Sequence, residues 1–222
     1  MKHIDLHAHI LPKADHGSDS LETSLKQLAL AKEAEIQILA ATPHFYPGSD
    51  TAEAFLERRS RCLAELTAVP DLNAPELLPG AEVQLCRGLN HLLQLRELCF
   101  QGTDVILLEL PPDFRFKQYE RTLEALRYDC KLQVVIAHVD RYPELAEPVL
   151  DAGFMGQLNA SSLCTMFRKK KLYDWIEQGS IVALGSDLHG IKTGYTEFLK
   201  AKSKLGSLYG EIMNRTQALL GK

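Results

Sequence analysis

The chain has 222 residues, a hydrophobic share of 45%, a charged share of 24% and a formal net charge of −4. These values are typical of a globular protein with an ordinary core, and the acidic balance argues against a nucleic-acid-binding protein. No apolar run approaches the roughly 20 residues of a membrane span, and Asp5, His7 and His9 interrupt any apolar core of a signal peptide. The length fits one large domain or two small ones, and we predict a cytoplasmic protein with neither nucleic-acid binding nor membrane insertion.

The cysteines are odd in number and widely scattered, which argues against a disulfide framework. They are predicted to be reduced, mostly buried thiols. None has an arginine six positions further on, so the phosphate-binding loop of the thiol phosphatases is missing. The five residues are Cys62, Cys86, Cys99, Cys130 and Cys164.

Strand and helix patterns alternate along the whole chain. In chain order they predict strands over 2–9, 36–44, 77–85, 104–110, 132–139, 156–161 and 181–187. Helices are predicted after each strand, over 18–35, 51–69, near 91–100, over 118–130, near 143–153 and over 169–179, and two more close the chain. Asp19 is the predicted cap of the first helix, because Glu22 three residues on completes a capping box.

Strict alternation of strand and helix favours a parallel sheet in an α/β fold. Seven units in a chain of this size predict a closed or nearly closed barrel, similar to a TIM barrel with one unit missing. A doubly wound open sheet is the alternative.

Polar side chains recur at or near the carboxyl ends of the predicted strands. In parallel α/β folds this edge is where sites are built, and a buried carboxylate is costly unless something compensates it. Each residue alone has an ordinary explanation, such as a core histidine or a helix cap, but their coincidence predicts one metal site with ligands suited to Zn, Mn or Fe. The residues are His7, His9, His44, Glu82, Glu109, His138, Asn159, Asp187 and His189.

The motifs DLHAH, ATPH, GAE, LLELP, IAHVDRYP and GSDLHG occur in this order between residues 1 and 190. Together they resemble the PHP (polymerase and histidinol phosphatase) superfamily. Within it they are most similar to the bacterial metal-dependent protein-tyrosine phosphatases of capsule and exopolysaccharide systems. The resemblance implies a single PHP-type domain, a distorted seven-unit β/α barrel and three divalent ions, with manganese first and iron, zinc or cobalt as alternatives.

The resemblance also implies a division of the ligands among the ions. His7, His9, Glu109 and Asp187 would hold the first ion, and Glu109 would bridge to a second that His138 completes. The third would be served by His16, His44, Glu82 and His189. His16 departs from the family pattern, which commonly has an acidic ligand there, so the site would carry one negative charge less. Asp15 is predicted to support a ligand or to belong to the loop.

The predicted reaction is hydrolysis of phosphotyrosine on a protein, by water that the ions activate. The implied partner is the tail of a membrane-associated bacterial tyrosine autokinase that regulates capsule or exopolysaccharide synthesis. Arg141 is the candidate phosphate clamp, with a surface ion pair to Glu144 or Glu147 as the alternative. His189, or alternatively His44, is predicted to assist through water, and Asn159 to orient an oxygen or a water unless it is a structural amide.

Two other functions stay open from the sequence. One is a small-molecule phosphomonoesterase, such as an enzyme for histidinol phosphate, because the ligand motifs alone do not separate the two substrates. The other is a metal-binding regulatory module without turnover, against which the full ligand set counts.

Overall fold

The computed structural model describes residues 1–164, 169–191 and 195–222, with the backbone alone at Lys169. Its strands within these ranges are β1 (Ile4–Ala8), β2 (Ile38–Ala41), β3 (His44–Phe45), β4 (Glu76–Pro79), β5 (Glu82–Gln84), β6 (Val105–Glu109), β7 (Gln133–Ile136), β8 (Met155–Asn159) and β9 (Ile181–Gly185). Its α-helices are α1 (Leu21–Glu33), α2 (Ala52–Thr67), α3 (Phe116–Tyr128), α4 (Pro143–Asp151), α5 (Lys169–Glu177), α6 (Thr196–Leu205) and α7 (Ser207–Leu220).

Two parallel sheets form the centre of the molecule. The first has the order β1–β2–β4, and the second has the order β3–β5–β6–β7–β8–β9. Every strand pair is parallel. The prediction of an α/β fold with parallel strands is therefore confirmed.

Two of the seven predicted strands are each broken into two. The predicted strand 36–44 divides at Pro43, which lacks the backbone N–H that a continuous ladder needs. The predicted strand 77–85 divides at Gly80, where a Cβ would lie 2.6 Å from the Phe100 ring. Hydrogen bonds from Gly80 N to Ala41 O (2.9 Å) and from Glu82 N to Pro43 O (3.1 Å) run alongside the break. The two strand breaks therefore lie side by side.

The first and last strands meet beyond their carboxyl ends. Asp187 N donates to His7 O at 2.7 Å, and His9 N donates to Leu188 O at 3.2 Å. Ala8 and Leu188 form a parallel bridge. The residues that follow β1 and β9 are thereby held together, although 180 positions separate them in the chain.

Two local predictions are wrong. The cap of α1 is Ser20, whose hydroxyl accepts from Thr23 N at 3.1 Å, while Asp19 accepts from the hydroxyls of Ser20 and Thr23. The hydroxyl of Ser20 is the side-chain acceptor that reaches the unpaired N–H groups of the first turn. The helix predicted near 91–100 is instead two short 3-10 helices, Leu89–His91 and Leu95–Leu98.

The core lies between the sheets and the surrounding helices. It is built from the alternating and continuous apolar runs of the strands, such as Val105 to Leu108 of β6, which are fully buried. Across the three described ranges, we find no helix with the length and apolar character to cross a membrane.

Candidate metal centre

The sheets bring eight of the nine predicted ligands to one buried or half-buried cluster at the carboxyl edge. His7 belongs to β1, His44 to β3, Glu82 to β5 and Glu109 to β6. The other four lie one to four residues beyond the ends of β1, β7 and β9. Two of these, His138 (φ 32°) and Asp187 (φ 51°), have left-handed backbone conformations. Such conformations cost free energy for residues other than glycine and are common at functional sites.

His7 and His9 point ring nitrogens at each other. Their Nε2 atoms lie 3.0 Å apart. His7 Nδ1 donates to Gln157 Oε1 at 3.0 Å, and this oxygen is identified as an acceptor because His138 N also donates to it at 2.8 Å. His9 Nδ1 donates to Asp15 Oδ2 at 2.7 Å. Burial lowers the pKa of both rings, but the nearby carboxylates outweigh it and raise the pKa of His7 and His9. A cation that displaced their protons would leave both rings neutral, with the two Nε2 lone pairs facing each other across a gap that suits it.

Glu82 lies among four of the histidines and is fully buried. Its Oε1 accepts from His138 Nε2 at 2.7 Å. Its Oε2 lies 3.2 Å from Nε2 of both His7 and His9. His44 Nδ1 is 2.9 Å from the same oxygen. Among the described residues, neither Glu82 Oε2 nor His44 Nδ1 makes a hydrogen bond of good geometry.

Asp187 connects this cluster to two predicted catalytic residues. Its Oδ1 lies 3.5 Å from His9 Nε2. Its Oδ2 accepts from Arg141 Nη2 at 2.5 Å and from Asn159 Nδ2 at 2.9 Å. Asn159 Oδ1 in turn accepts from Gln157 Nε2 at 3.0 Å. Both polar atoms of the Asn159 amide are thus used in fixing its neighbours.

Arg141 and Glu147, one of its two predicted surface partners, each form an ion pair with another residue. The guanidinium pairs with Asp187 at the cluster, and Glu147 pairs with Lys171 at 2.8 Å. The side chain of Arg141 is 44% exposed. It therefore lies at the boundary between the buried cluster and solvent.

His189 completes the cluster on the side of His9. Its ring stacks on that of His9 with centroids 4.1 Å apart, and its Nδ1 donates to the backbone oxygen of Asp187 at 3.0 Å. Its Nε2 is buried without a hydrogen bond in the described structure. Burial and the charge of His9 lower the pKa of His189 to about 4, so at neutral pH the ring offers a lone pair.

Glu109 and His16 lie further out. Glu109 is 19% exposed and its Oε1 is 3.8 Å from His138 Nε2. Burial and the charge of Glu82 raise the pKa of Glu109. His16 is an exposed residue whose ring lies 4.8 Å from the rings of both His44 and His189, centroid to centroid. The resemblance gave the bridging position to Glu109, whereas the carboxylate that touches most histidines here is Glu82.

The residues present fit divalent metal ions. Potential ligand atoms within 4.8 Å of one another form three overlapping groups: His9, His44 and His189; His7, His9 and Glu82; and His44, Glu82 and Glu109. Within the described ranges, Glu82 Oε2, His44 Nδ1 and His189 Nε2 are buried and make no hydrogen bond, which is costly unless a cation binds them. The donor set contains imidazoles and carboxylates and no thiolate, which suits Mn, Fe or Zn.

Several residues of the centre were not found from the sequence. Asp5 is fully buried in β1 and accepts from His7 N (3.2 Å), Ser186 N (2.9 Å) and the Tyr195 hydroxyl (2.7 Å). Burial raises the pKa of Asp5 against the effect of these hydrogen bonds. Gln157 orients His7 and His138 as described above. The one available signal was a polar residue inside an apolar strand, which says nothing about its partner.

The parallel α/β fold and the imidazole–carboxylate cluster define a candidate metalloenzyme. A family model described as capsular polysaccharide synthesis, CpsB/CapC, matches residues 3–219. The chain therefore belongs to the CpsB/CapC family. This membership confirms the resemblance on which the sequence interpretation depended.

Individual relatives agree with the family. The tyrosine-protein phosphatase YwqE of Bacillus subtilis (strain 168) is 29% identical over 203 residues, which cover 86% of this chain and 78% of that protein. A solved structure from work on YwqE of Bacillus subtilis and CpsB of Streptococcus pneumoniae, described as metal-dependent tyrosine phosphatases, has a TM-score of 0.79 and 25% identity and covers 98% of this chain and 94% of its own.

More distant structures show the fold alone. HisK from Listeria monocytogenes has a TM-score of 0.51 at 14% identity, over 89% of this chain and 100% of that chain. An organophosphorus hydrolase variant from Deinococcus radiodurans has a TM-score of 0.52 at 13% identity, over 98% of this chain and 92% of its own. The chain thus shares its overall fold with these two proteins.

Proposed function

We propose that this protein is a metal-dependent phosphatase that hydrolyses phosphotyrosine on a protein. The observation that carries the proposal is the meeting of the buried imidazole–carboxylate cluster with a half-exposed arginine, Arg141, through Asp187. Membership of the CpsB/CapC family and similarity to the phosphatase YwqE support the same activity.

We propose three bound ions, with Mn²⁺ as the first candidate. Their ligands would be His7, His9, His16, His44, Glu82, Glu109, His138, Asp187 and His189, in the division that the family resemblance implies. When bound, such ions activate a water for attack on phosphorus and offset the charge that develops in phosphoryl transfer.

Arg141 is the proposed phosphate clamp. Its Nη2 is anchored on Asp187, and a guanidinium has further N–H donors in a planar fork that matches two phosphate oxygens. Because the side chain lies at the solvent boundary, a phosphate that enters the site meets it before reaching the buried ligands.

Asn159 and His189 have supporting roles in this proposal. Asn159 is a positioning residue, since its amide links Gln157 to Asp187. His189, with its pKa lowered to about 4, is neutral at pH 7 and is a poor direct proton donor. A phenolate leaving group, with a pKa of about 10, needs little help from an acid. Phosphotyrosine is therefore a substrate that suits this set of residues.

We further propose that the two sheets form one distorted seven-unit barrel in a single PHP-type domain over 1–222. Two features support this: the hydrogen bonds between the residues that follow β1 and β9, and the adjacent strand breaks at Pro43 and Gly80. The proposed substrate is the tail of a tyrosine kinase of capsule or exopolysaccharide synthesis, and the proposed location is the cytoplasm. The family description supports the capsule system.

The test is hydrolysis by protein stripped of metal and reloaded separately with Mn²⁺, Fe²⁺, Zn²⁺ or Co²⁺. We expect release of phosphate from phosphotyrosine peptides, little from phosphoserine peptides and little from histidinol phosphate. Preference for histidinol phosphate would favour the small-molecule enzyme. No hydrolysis with any ion would favour the regulatory module.

Two variants test the assigned residues in the same assay. His138→Ala and Asp187→Ala are expected to lose activity by at least about 100-fold, since loss of a group that supports a metal costs 10- to 100-fold by itself. Circular dichroism should show the fold retained. Asp113→Asn, an exposed carboxylate in the loop after β6, is the matched control. Near-normal turnover by either alanine variant would show its assigned role to be wrong.

A further inference from the structure

We propose that the cavity beside Arg141 binds a basic side chain of the protein substrate next to the phosphotyrosine, and that Glu197 selects it. The inference rests on the proposed phosphatase function, because it names what the same site accepts beyond the phosphate. It assigns a specificity-determining role to a residue outside the ligand cluster.

The cavity opens directly from the candidate phosphate site. Its lining includes Arg141, Asn159 and Asp187 of the candidate site, together with Glu197 and Phe198 of α6. Its volume is about 320 Å³, at the lower end of the range for ligand pockets. This space suits one amino-acid side chain rather than a larger ligand. A peptide whose phosphate reaches Arg141 would present a neighbouring residue here.

Among the described residues of the cavity wall, Glu197 is the charged group with neither an ion pair nor a side-chain hydrogen bond. Arg141 pairs with Asp187. The carboxylate of Asp140 accepts from Asn159 N at 2.8 Å. Within the described residues, Glu197 forms no ion pair, and its Oε2 is buried without a hydrogen bond. The described residues that line the cavity include three carboxylates and one guanidinium, so this part of the wall is negative, and Glu197 contributes a carboxylate oxygen without a hydrogen bond.

The fold holds Glu197 in this place. Its backbone oxygen accepts from Cys164 Sγ at 3.5 Å, which joins the start of α6 to the 3-10 helix Ala160–Cys164. The next residue, Phe198, is 2% exposed. Glu197 also lies in the first turn of α6, where the helix dipole stabilises a negative charge by about 0.3–1 kcal/mol. The dipole explains why a carboxylate is tolerated, although no described residue donates a hydrogen bond to its buried Oε2.

A lysine or arginine side chain supplies what the wall lacks. Its positive charge complements the negative cavity, and its N–H groups can donate to the Glu197 carboxylate. An acidic side chain would be repelled, and an apolar one would leave the carboxylate unsatisfied. The structure therefore predicts a preference among phosphotyrosine peptides, not merely acceptance of the phosphate.

The experiment uses the full-length Mn²⁺-loaded protein and matched peptides. Each peptide carries one phosphotyrosine. One position, among the two residues before it and the two residues after it, is occupied by lysine, norleucine or glutamate. At the responsive position we expect kcat/KM for lysine to exceed that for norleucine by about tenfold, as for a charge-assisted hydrogen bond at a partly exposed site. The glutamate peptide should be the poorest. Raising NaCl from 50 to 500 mM should reduce the preference, because salt screens exposed charges.

Variants of Glu197 test the assignment. Glu197→Gln should bring the lysine-to-norleucine ratio close to one, and Glu197→Lys should make the glutamate peptide the better substrate. Glu57→Gln, an exposed carboxylate on α2 outside the cavity, should keep the wild-type ratio. Because the readout is a ratio on one enzyme, a general loss of activity or of folded protein cancels.

The outcomes separate this inference from the proposed function. Hydrolysis of all peptides at equal rates, or a lysine preference that survives in Glu197→Gln, overturns the role of Glu197 and leaves the phosphatase proposal standing. Failure of the wild-type protein to hydrolyse any phosphotyrosine peptide overturns both.

Discussion

Asp15 links three separate parts of the candidate metal centre. Its Oδ2 accepts from His9 Nδ1 at 2.7 Å and from His44 N at 2.9 Å, and its Oδ1 accepts from Gly17 N at 2.8 Å. Burial raises the pKa of Asp15, but the hydrogen bond and charge of His9 outweigh it and hold the pKa well below the ordinary value. A carboxylate on the far nitrogen fixes the tautomer and direction of a ligand histidine.

We expect Asp15→Asn to weaken metal binding by about 10- to 100-fold, the usual effect of losing such a support. The amide has one oxygen for three donors, so at least one of the hydrogen bonds to His9, His44 and Gly17 is lost. The measurement is metal retained per protein after dialysis against a series of chelator concentrations, by mass spectrometry of the metal.

The control for this variant is Asp19→Asn, an exposed aspartate four residues further on. It should retain metal like the wild-type protein. Equal retention by Asp15→Asn would mean that His9 is held in place by the packing around it rather than by the carboxylate.

At this scale, sequence reasoning located side chains by type and position. His7, His9, Glu82 and Asp187 could be singled out because each falls at or near the carboxyl end of a predicted strand. Gln157 could not, since its partner His7 is 150 positions away and a lone glutamine carries no spacing signal. The sequence also could not show whether Glu82 or Glu109 lies in the middle of the cluster, because that depends on strand register.

At the scale of elements, α7 fastens the two ends of the sheet system. Thr216 Oγ1 donates to Val182 O of β9 at 2.7 Å, and Arg215 Nη1 donates to Ile176 O at 2.8 Å. Ile4 N of β1 lies 3.3 Å from Met213 Sδ. One helix therefore contacts both the first and the last strand, beneath the junction that carries His7 and Asp187.

Replacing Thr216 by valine should lower the free energy of unfolding by about 1–3 kcal/mol, because the shape is kept while the buried Val182 carbonyl loses its side-chain donor. Urea denaturation followed by circular dichroism measures the change. Metal content per folded molecule should stay normal, since no ligand is touched.

A matched substitution is available at the end of α2. Thr67 is exposed and, among the described residues, its hydroxyl bonds only carbonyls of its own helix, so Thr67→Val should change stability by no more than about 0.5 kcal/mol. If the two variants unfold at the same urea concentration, the contact between α7 and β9 contributes little.

The elements themselves were largely predictable, and their interruptions were not. Apolar runs of four to eight residues mark the buried strands directly, as in β6 and β9. The break at Gly80 depends on the packing of the Phe100 ring against the glycine, which no local pattern reveals. Ser20 and Asp19 are both good caps by type, so only the backbone geometry decides between them.

At the scale of the whole molecule, the metal centre draws its ligands from both sheets. His7 lies in the three-stranded sheet, whereas His44, Glu82 and Glu109 lie in the six-stranded one. Ions bound there would join the two sheets in the folded state and have no comparable site in the unfolded chain. Metal binding should therefore be coupled to global stability.

Removing the ions should lower Tm, and adding them back should restore it. At 100 times its dissociation constant, one bound ion stabilises the fold by about 2.7 kcal/mol, which corresponds to a shift of roughly 5–10 °C for a chain of this size. Differential scanning calorimetry over a Mn²⁺ titration, beginning with chelator-treated protein, gives the measurement.

The variant Asp187→Ala should show a smaller shift at every Mn²⁺ concentration, whereas Asp113→Asn should follow the wild-type curve. A Tm that is independent of Mn²⁺, Fe²⁺, Zn²⁺ and Co²⁺ would contradict a resident divalent ion.

The left-handed backbone at positions 138 and 187 limits how this centre can be altered. Asparagine, aspartate and histidine enter that conformation more readily than other side chains with a Cβ, whereas β-branched residues are strongly disfavoured there. A mutant library designed to change the metal preference should therefore allow only asparagine, aspartate and histidine at both positions. More residue types can be tried at His44 and Glu82, which lie in regular strands. With this choice, few members of the library should fail to fold.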